Sequence, residues 1–298
     1  TLNVQYWHDF LKSLRLAGYM SKKMLTSDNN LLFSYILYLM GRLEYGVDLF
    51  VLRKTIAKWF FMSNINRRYT GSPESAMEFD LARFREITDK DEFVSILNSI
   101  SDSILTGDYW SISLPTELAT SSPRSPSLFS YHAALILLDA KALWSDMKYT
   151  DTLDPNIVSN KSSVEKHHLF PFNYLKKLGY KSTRDTNQIA NYALLEWGDN
   201  VSISDQAPKD YIHAMEERFS ASDLEKMYYW HALPKEWYLM DYPDFLVQRR
   251  ELIAKVIRDG YEHLSKEIEY DHFSIGENLT NNIISQGESE NVEFKSTL

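Results

Sequence analysis

The chain of 298 residues contains no cysteine. Disulfides, thiolate zinc sites, iron–sulfur clusters and cysteine nucleophiles are therefore excluded, and a reducing, cytoplasmic setting is the natural expectation. Turn formers are scarce too. Ten glycines and nine prolines make up about 6% of the residues, half the usual share of about 12%. That argues against an all-β sandwich or barrel and for long helices. The longest apolar run, Leu31 to Met40, falls far short of the roughly 20 residues of a membrane span, and no secretory signal pattern is present. An excess of positive charge is also missing. The net charge is −9, so any binding to nucleic acid must come from a local patch. What remains, 44% apolar and 24% charged residues, is an ordinary globular composition with length for about two domains.

The first 110 residues carry helical periodicity. Apolar residues at 7, 10, 11 and 14 mark one face of a helix over Leu2 to Leu16. Asp28 or Asn29 can cap a segment from Leu31 to Leu43 that is apolar nearly all round, as expected for a helix in the middle of a bundle. Val47 to Met62 follows, then a capping-box pattern at Thr88-Asp89-Lys90-Asp91. Residues 111 to 127 hold three of the nine prolines and a Ser/Thr cluster, which predicts a long surface loop. A helix is predicted over Leu128 to Trp144, a turn at Asp154-Pro155-Asn156, a second capping box at Ser222 to Glu225, and a long helix from Pro243 to about Glu267. The class is mainly α with some β.

Between 164 and 213 the texture changes to short apolar runs separated by basic loops. Val164-Glu165-Lys166-His167-His168-Leu169-Phe170-Pro171 reads as a short strand ending in two adjacent histidines, stopped by proline. Neighbouring side chains on a strand point to opposite faces, so the two histidines can take different tasks, one binding a metal and the other moving a proton. Asn191 opens a second apolar run and Asn200 follows nine residues later. Such a nitrogen and oxygen ligand set suits Mg²⁺, Mn²⁺ or a similar ion. A surface pair of histidines and ordinary turn asparagines are the plainer reading of the same residues. His8, His132, His213, His231, His263 and His272 have no partner pattern and read as core or surface residues.

This segment resembles the ββα-metal finger of HNH endonucleases, a hairpin and helix around one divalent cation. His167-His168-Leu169-Phe170-Pro171 fits the first element of that pattern, Asn191 the second and Asn200 the third. More narrowly, HHLFP with Ile189-Ala190-Asn191-Tyr192-Ala193-Leu194-Leu195-Glu196 and Ser202 to Pro208 resembles the HNH domain of GmrSD-type restriction endonucleases. Lys58 to Met62 and Gln248-Arg249-Arg250-Glu251-Leu252-Ile253 are similar to parts of the helical half of those bacterial anti-phage proteins. The resemblance implies that His168 is the general base, that His167 and Asn200 hold Mg²⁺ or Mn²⁺, and that Asn191 orients the base and braces the finger. It also implies a ParB-like nucleotide-binding domain N-terminal to this chain. Three features depart from the pattern. His167 stands where an acidic ligand is common, 23 residues separate His168 from Asn191, and the helix is expected to start near Pro208, which would leave Asn200 ahead of it.

Charge points the same way. Lys161, Lys166, Lys176, Lys177, Lys181 and Arg184 face only Glu165 between 161 and 184, a local +5 in a chain of net −9. This island is the candidate contact for a phosphate backbone; a solvated lysine-rich helix is the alternative. Asn66-Arg67-Arg68-Tyr69 is a second, weaker candidate. At the far end, Gly287 to Ser296 resembles the opening strand of AlbA-like (Schlafen-type) domains. With a first residue Thr1 rather than Met, this suggests a piece of a longer protein. The expected organisation is a helical domain over 1–150, the finger over 151–215, helices over 216–270 packing on the first domain, and a linker with a truncated AlbA-like start over 271–298. The expected function is metal-dependent hydrolysis of DNA in restriction or phage defence, with no membrane partner. A DNA-binding or regulatory module that keeps the finger only as structure is the alternative, and RNA is a further candidate substrate.

Overall fold

A computed structural model describes residues 3–153 and 164–264. The turn predicted at Asp154-Pro155-Asn156, the basic residue Lys161 and the whole segment after Leu264 lie outside the described residues.

The helical expectation holds for the N-terminal half. Asn3 caps α1 (Val4–Leu16) through its side-chain oxygen. Helix α2 (Asp28–Leu39) is capped by Ser27, one residue upstream of the two candidates. It runs on into a π-helical turn, Met40–Glu44. Phe33, Leu37 and Tyr38 are buried, but Leu32 and Ile36 are exposed, so α2 is not enclosed on all sides. Helix α3 (Leu49–Ile65) is the central one, with Trp59, Phe60, Phe61 and Met62 fully enclosed. Helices α4 (Pro73–Ala82) and α5 (Lys90–Ile104) follow, the latter capped by Asp89 rather than Thr88.

The loop predicted over 111 to 127 is largely helical instead. Tyr109–Ser113 forms a second π-helical turn leading into α6 (Leu114–Glu117), and Trp110, Leu114 and Leu118 are buried at helical spacing. Its prolines do not break helices. Pro115 and Pro126 sit in first turns, where a missing N–H removes no hydrogen bond. Helix α7 (Pro126–Leu137) ends well before Trp144, and α8 (Tyr149–Leu153) comes after a tight turn closed by a bridge between Lys141 and Lys148.

Strand β1 (Val164–His168) pairs antiparallel with β2 (Tyr192–Glu196), His168 facing Tyr192 and Val164 facing Glu196. Between them lie α9 (Phe172–Lys177) and α10 (Thr183–Thr186). After β2 the chain turns at once into α11 (Trp197–Ile203), then α12 (Pro208–Glu216) and α13 (Ala221–Trp230). Ser220 caps α13, two residues before the predicted box. Helix α14 (Tyr242–His263) closes the described chain. It packs on α7 so tightly that a Cβ at Gly260 would lie 2.6 Å from that of Ala134.

The architecture is mainly helical with one small two-stranded sheet. The sheet is fastened to the helices rather than laid beside them. Leu169 and Phe170, the apolar pair of HHLFP, are buried. Phe170 packs against Trp237, Tyr242 and Phe245, with ring centroids 5.9, 5.3 and 4.8 Å away. The Tyr211 hydroxyl on α12 donates to the Leu169 carbonyl at 2.6 Å. Arg249 on α14, fully buried, donates to the carbonyls of Ala190 (2.7 Å), Tyr192 (2.8 Å) and His231 (3.1 Å). A guanidinium has five N–H donors in a rigid fork, which lets one side chain satisfy three backbone oxygens in two separate segments.

A candidate metal and base site on the two-stranded sheet

His167 and His168 point to opposite faces of β1, as alternation requires. His167 faces α11. Its Nδ1 lies 2.6 Å from Oδ1 of Asn200, and its ring packs edge-on to Tyr211. Asn200 is on α11, in the middle of a helix that starts directly after β2, not ahead of the helix near Pro208. The third departure from the resembled pattern is thereby removed. Strand, strand and helix follow in the order β1, β2, α11, and the hairpin brings together two side chains 33 positions apart.

His168 faces the other way, against the Tyr192 ring at 4.6 Å. Its Nε2 lies 3.0 Å from Oδ1 of Asn187. An amide oxygen only accepts, so Nε2 carries the proton and Nδ1 keeps its lone pair. The Thr186 hydroxyl also donates to this Oδ1, at 3.3 Å, which holds the amide in that orientation. Asn187 was not a candidate in the sequence, where nothing separates it from the other polar residues of Thr186-Asn187-Gln188.

Asn191 does something else. Fully buried, it accepts from Phe170 N–H (2.9 Å) and donates to the carbonyls of Phe170 (3.1 Å) and Thr186 (3.0 Å). Its own carbonyl accepts from Leu169 N–H at 2.8 Å. All these partners are backbone groups. Asn191 braces the turn that follows the histidines, and the contact to His168 belongs to Asn187.

Burial sets the protonation of both histidines. It lowers the pKa of His167 to about 4, with the Asn200 contact opposing and His168 adding to the shift. It also holds His168 below the ordinary imidazole range; the Asn187 contact opposes this and the Lys166 ammonium pushes the same way. Both rings are neutral at pH 7, the state in which an imidazole ligates a metal or accepts a proton.

His167 and Asn200 are the residues that would hold a divalent cation. In the contact between them Nδ1 of His167 carries the proton, because an amide oxygen only accepts; to hold a cation beside Asn200 through Nδ1 the ring would have to carry its proton on Nε2 instead. The Nε2 of His167 is enclosed and has no hydrogen-bond partner among the described residues. No cluster of three or more His, Cys, Asp or Glu side chains able to hold an ion occurs among the described residues. Water or substrate oxygens would therefore supply the remaining positions.

The basic candidates divide. Lys176 and Lys177 on α9, Lys181, and Arg184 on α10 are exposed on the insertion between the strands. Lys166 instead lays its ammonium 5.0 Å from the centre of the Tyr192 ring. Its stem lines a cavity of about 20 Å³ with Tyr131, His132, Tyr149 and His231, room for about one water molecule. Of the second basic candidate, Arg68 is committed to a buried pair with Asp80, which Tyr69 also contacts.

No family model matches this chain. No curated protein and no solved structure matches it either. No helix among the described residues is long and apolar enough to cross a membrane.

Proposed function

We propose that the chain is a metal-dependent endonuclease of HNH type that hydrolyses DNA phosphodiester bonds, working in restriction or phage defence. The observation that carries this reading is the meeting of His167 and Asn200 at 2.6 Å across a hairpin that runs straight into a helix, with His168 on the other side of the same strand. Two neutral donors on one side and a neutral imidazole on the other are the minimum kit for activating water at phosphorus.

In this scheme His167 and Asn200 would hold the cation, which would supply charge neutralisation at the phosphate and the leaving 3′ oxygen. His168 takes the proton of the attacking water on Nδ1, since Asn187 keeps its proton on Nε2. A positioned base of this kind is worth about 10²- to 10⁴-fold. The exposed cations at 176, 177, 181 and 184 are suited to hold the backbone beside it.

A second reading has one observation in its favour. The donor pair contains no carboxylate, and no acidic metal cluster stands near it among the described residues. In that reading the finger is structural and the chain binds DNA or regulates a partner. Supercoiled plasmid incubated with Mn²⁺ or Mg²⁺, with a chelator control, separates the two. Metal-dependent conversion to nicked or linear DNA is expected; intact plasmid under every condition favours the structural reading. Competition by RNA tests the substrate class.

A further inference from the structure

The helix that carries Asn200 is only seven residues long, Trp197 to Ile203. Too short to hold itself in place by its own hydrogen bonds, it needs fastening, and one turn fixes the strand end from which it starts. Leu143 N–H donates to the Leu194 carbonyl of β2 at 3.2 Å. The Ser145 hydroxyl donates to Glu196, the residue just before α11. Between them Trp144 is held at φ 54°, in the left-handed region that a bulky side chain enters only under constraint. Its carbonyl accepts from Arg218 at 3.1 Å. The same guanidinium grips Asp199 with two parallel bonds of 2.9 Å, and Asp199 is the residue immediately before Asn200.

We infer that Arg218 is a positioning residue for the metal site: by bridging the Trp144 carbonyl and Asp199 it fixes α11, and so sets Asn200 against His167. Bidentate carboxylate pairing restrains orientation as well as distance. The bridge also occupies Asp199, the carboxylate nearest the two donors in sequence. This inference rests on the proposed metal reading.

The test is Mn²⁺ binding by the whole chain, followed through the paramagnetic resonance signal of the free ion, so that no catalytic activity is needed. The unaltered protein is expected to bind Mn²⁺ and His167→Ala to lose it. Arg218→Ala is expected to weaken binding about tenfold, the size seen when an outer support of a metal ligand is removed. Asp199→Asn, which keeps the shape and loses the charge, is expected to act in the same direction, and the double variant to be no worse than Arg218→Ala. Arg218→Lys is expected to recover part of the loss. Unchanged or tighter Mn²⁺ binding by Arg218→Ala overturns the inference and leaves the metal reading standing, as do independent, additive effects of the two substitutions. Absence of Mn²⁺ binding by the unaltered protein overturns both.

Discussion

At the scale of single residues, the two asparagines near His168 divide one task between them. Asn187 touches His168, the proposed base, whereas the hydrogen bonds of the Asn191 side chain among the described residues go to backbone groups. Replacing Asn187 by Ala should leave the fold nearly unchanged and slow metal-dependent cleavage by about 10-fold or more, because the tautomer of His168 is no longer fixed. Asn191→Ala strips the partner from the Phe170 N–H and carbonyl, each costing about 1–3 kcal/mol when left unpaired, and removes one of two donors from the Thr186 carbonyl, which keeps the Tyr242 hydroxyl. A loss of about 2 kcal/mol or more is expected in urea unfolding. Equal effects of the two substitutions on stability would contradict this division. The sequence exposed His167, His168, Asn191 and Asn200 because those residue types occur in the order of the resembled pattern, although 23 residues separate His168 from Asn191. It hid Asn187, whose role depends on where α10 sets its amide.

At the scale of elements, β2 is held in place from outside the two-stranded sheet. Arg249 on α14 holds the carbonyls of Ala190 and Tyr192, at the start of the strand facing His168. Arg249→Met would leave those oxygens and the His231 carbonyl without partners in a dry interior. The expected cost is about 3 kcal/mol or more, read as a lower urea midpoint, with cleavage lost in step. A variant as stable as the original would show that the clamp is dispensable. Long elements were legible in the sequence: α1, α3 and α14 fall close to their predicted ranges because apolar residues recur in each over several turns. Short ones were not. Helix α11 offers seven residues, with Gly198 and Ser202 among them and Val201 exposed, too few for a period to emerge. The stretch 111–127 misled for another reason: two of its three prolines, Pro115 and Pro126, sit in first turns of helices, where composition alone reads them as loop.

At the scale of the whole molecule, three imidazoles, the buried His167 and His231 and the half-buried His132, tie stability to pH. Burial is the main cause in each case, lowering His132 to about 3 and His167 and His231 to about 4. His231 donates from Nε2 to the Lys141 carbonyl at 2.9 Å, a bond that its neutral form already makes. Unfolded, such rings titrate near 6.5. Between those values the unfolded chain binds more protons, so this contribution is fully present above about pH 6.5 and falls as the solution is acidified. The slope approaches about 1.4 kcal/mol per pH unit for each ring. The urea midpoint should therefore drop between pH 7 and pH 5, and less steeply in His231→Gln; a midpoint independent of pH in that range would contradict the burial of these rings. The surroundings of His132 and His231 were not legible in the sequence, where neither had a partner pattern. They arise from the packing of α7, α8 and α13 around the sheet.

The measurement that bears most directly on the central claim is the rate of plasmid cleavage at saturating Mn²⁺ by the unaltered protein and by His168→Ala, purified side by side. The site described here predicts cleavage that a chelator abolishes and that falls by about 10²- to 10⁴-fold in the variant. Equal rates in the two proteins would remove His168 from the chemistry and contradict the proposed function.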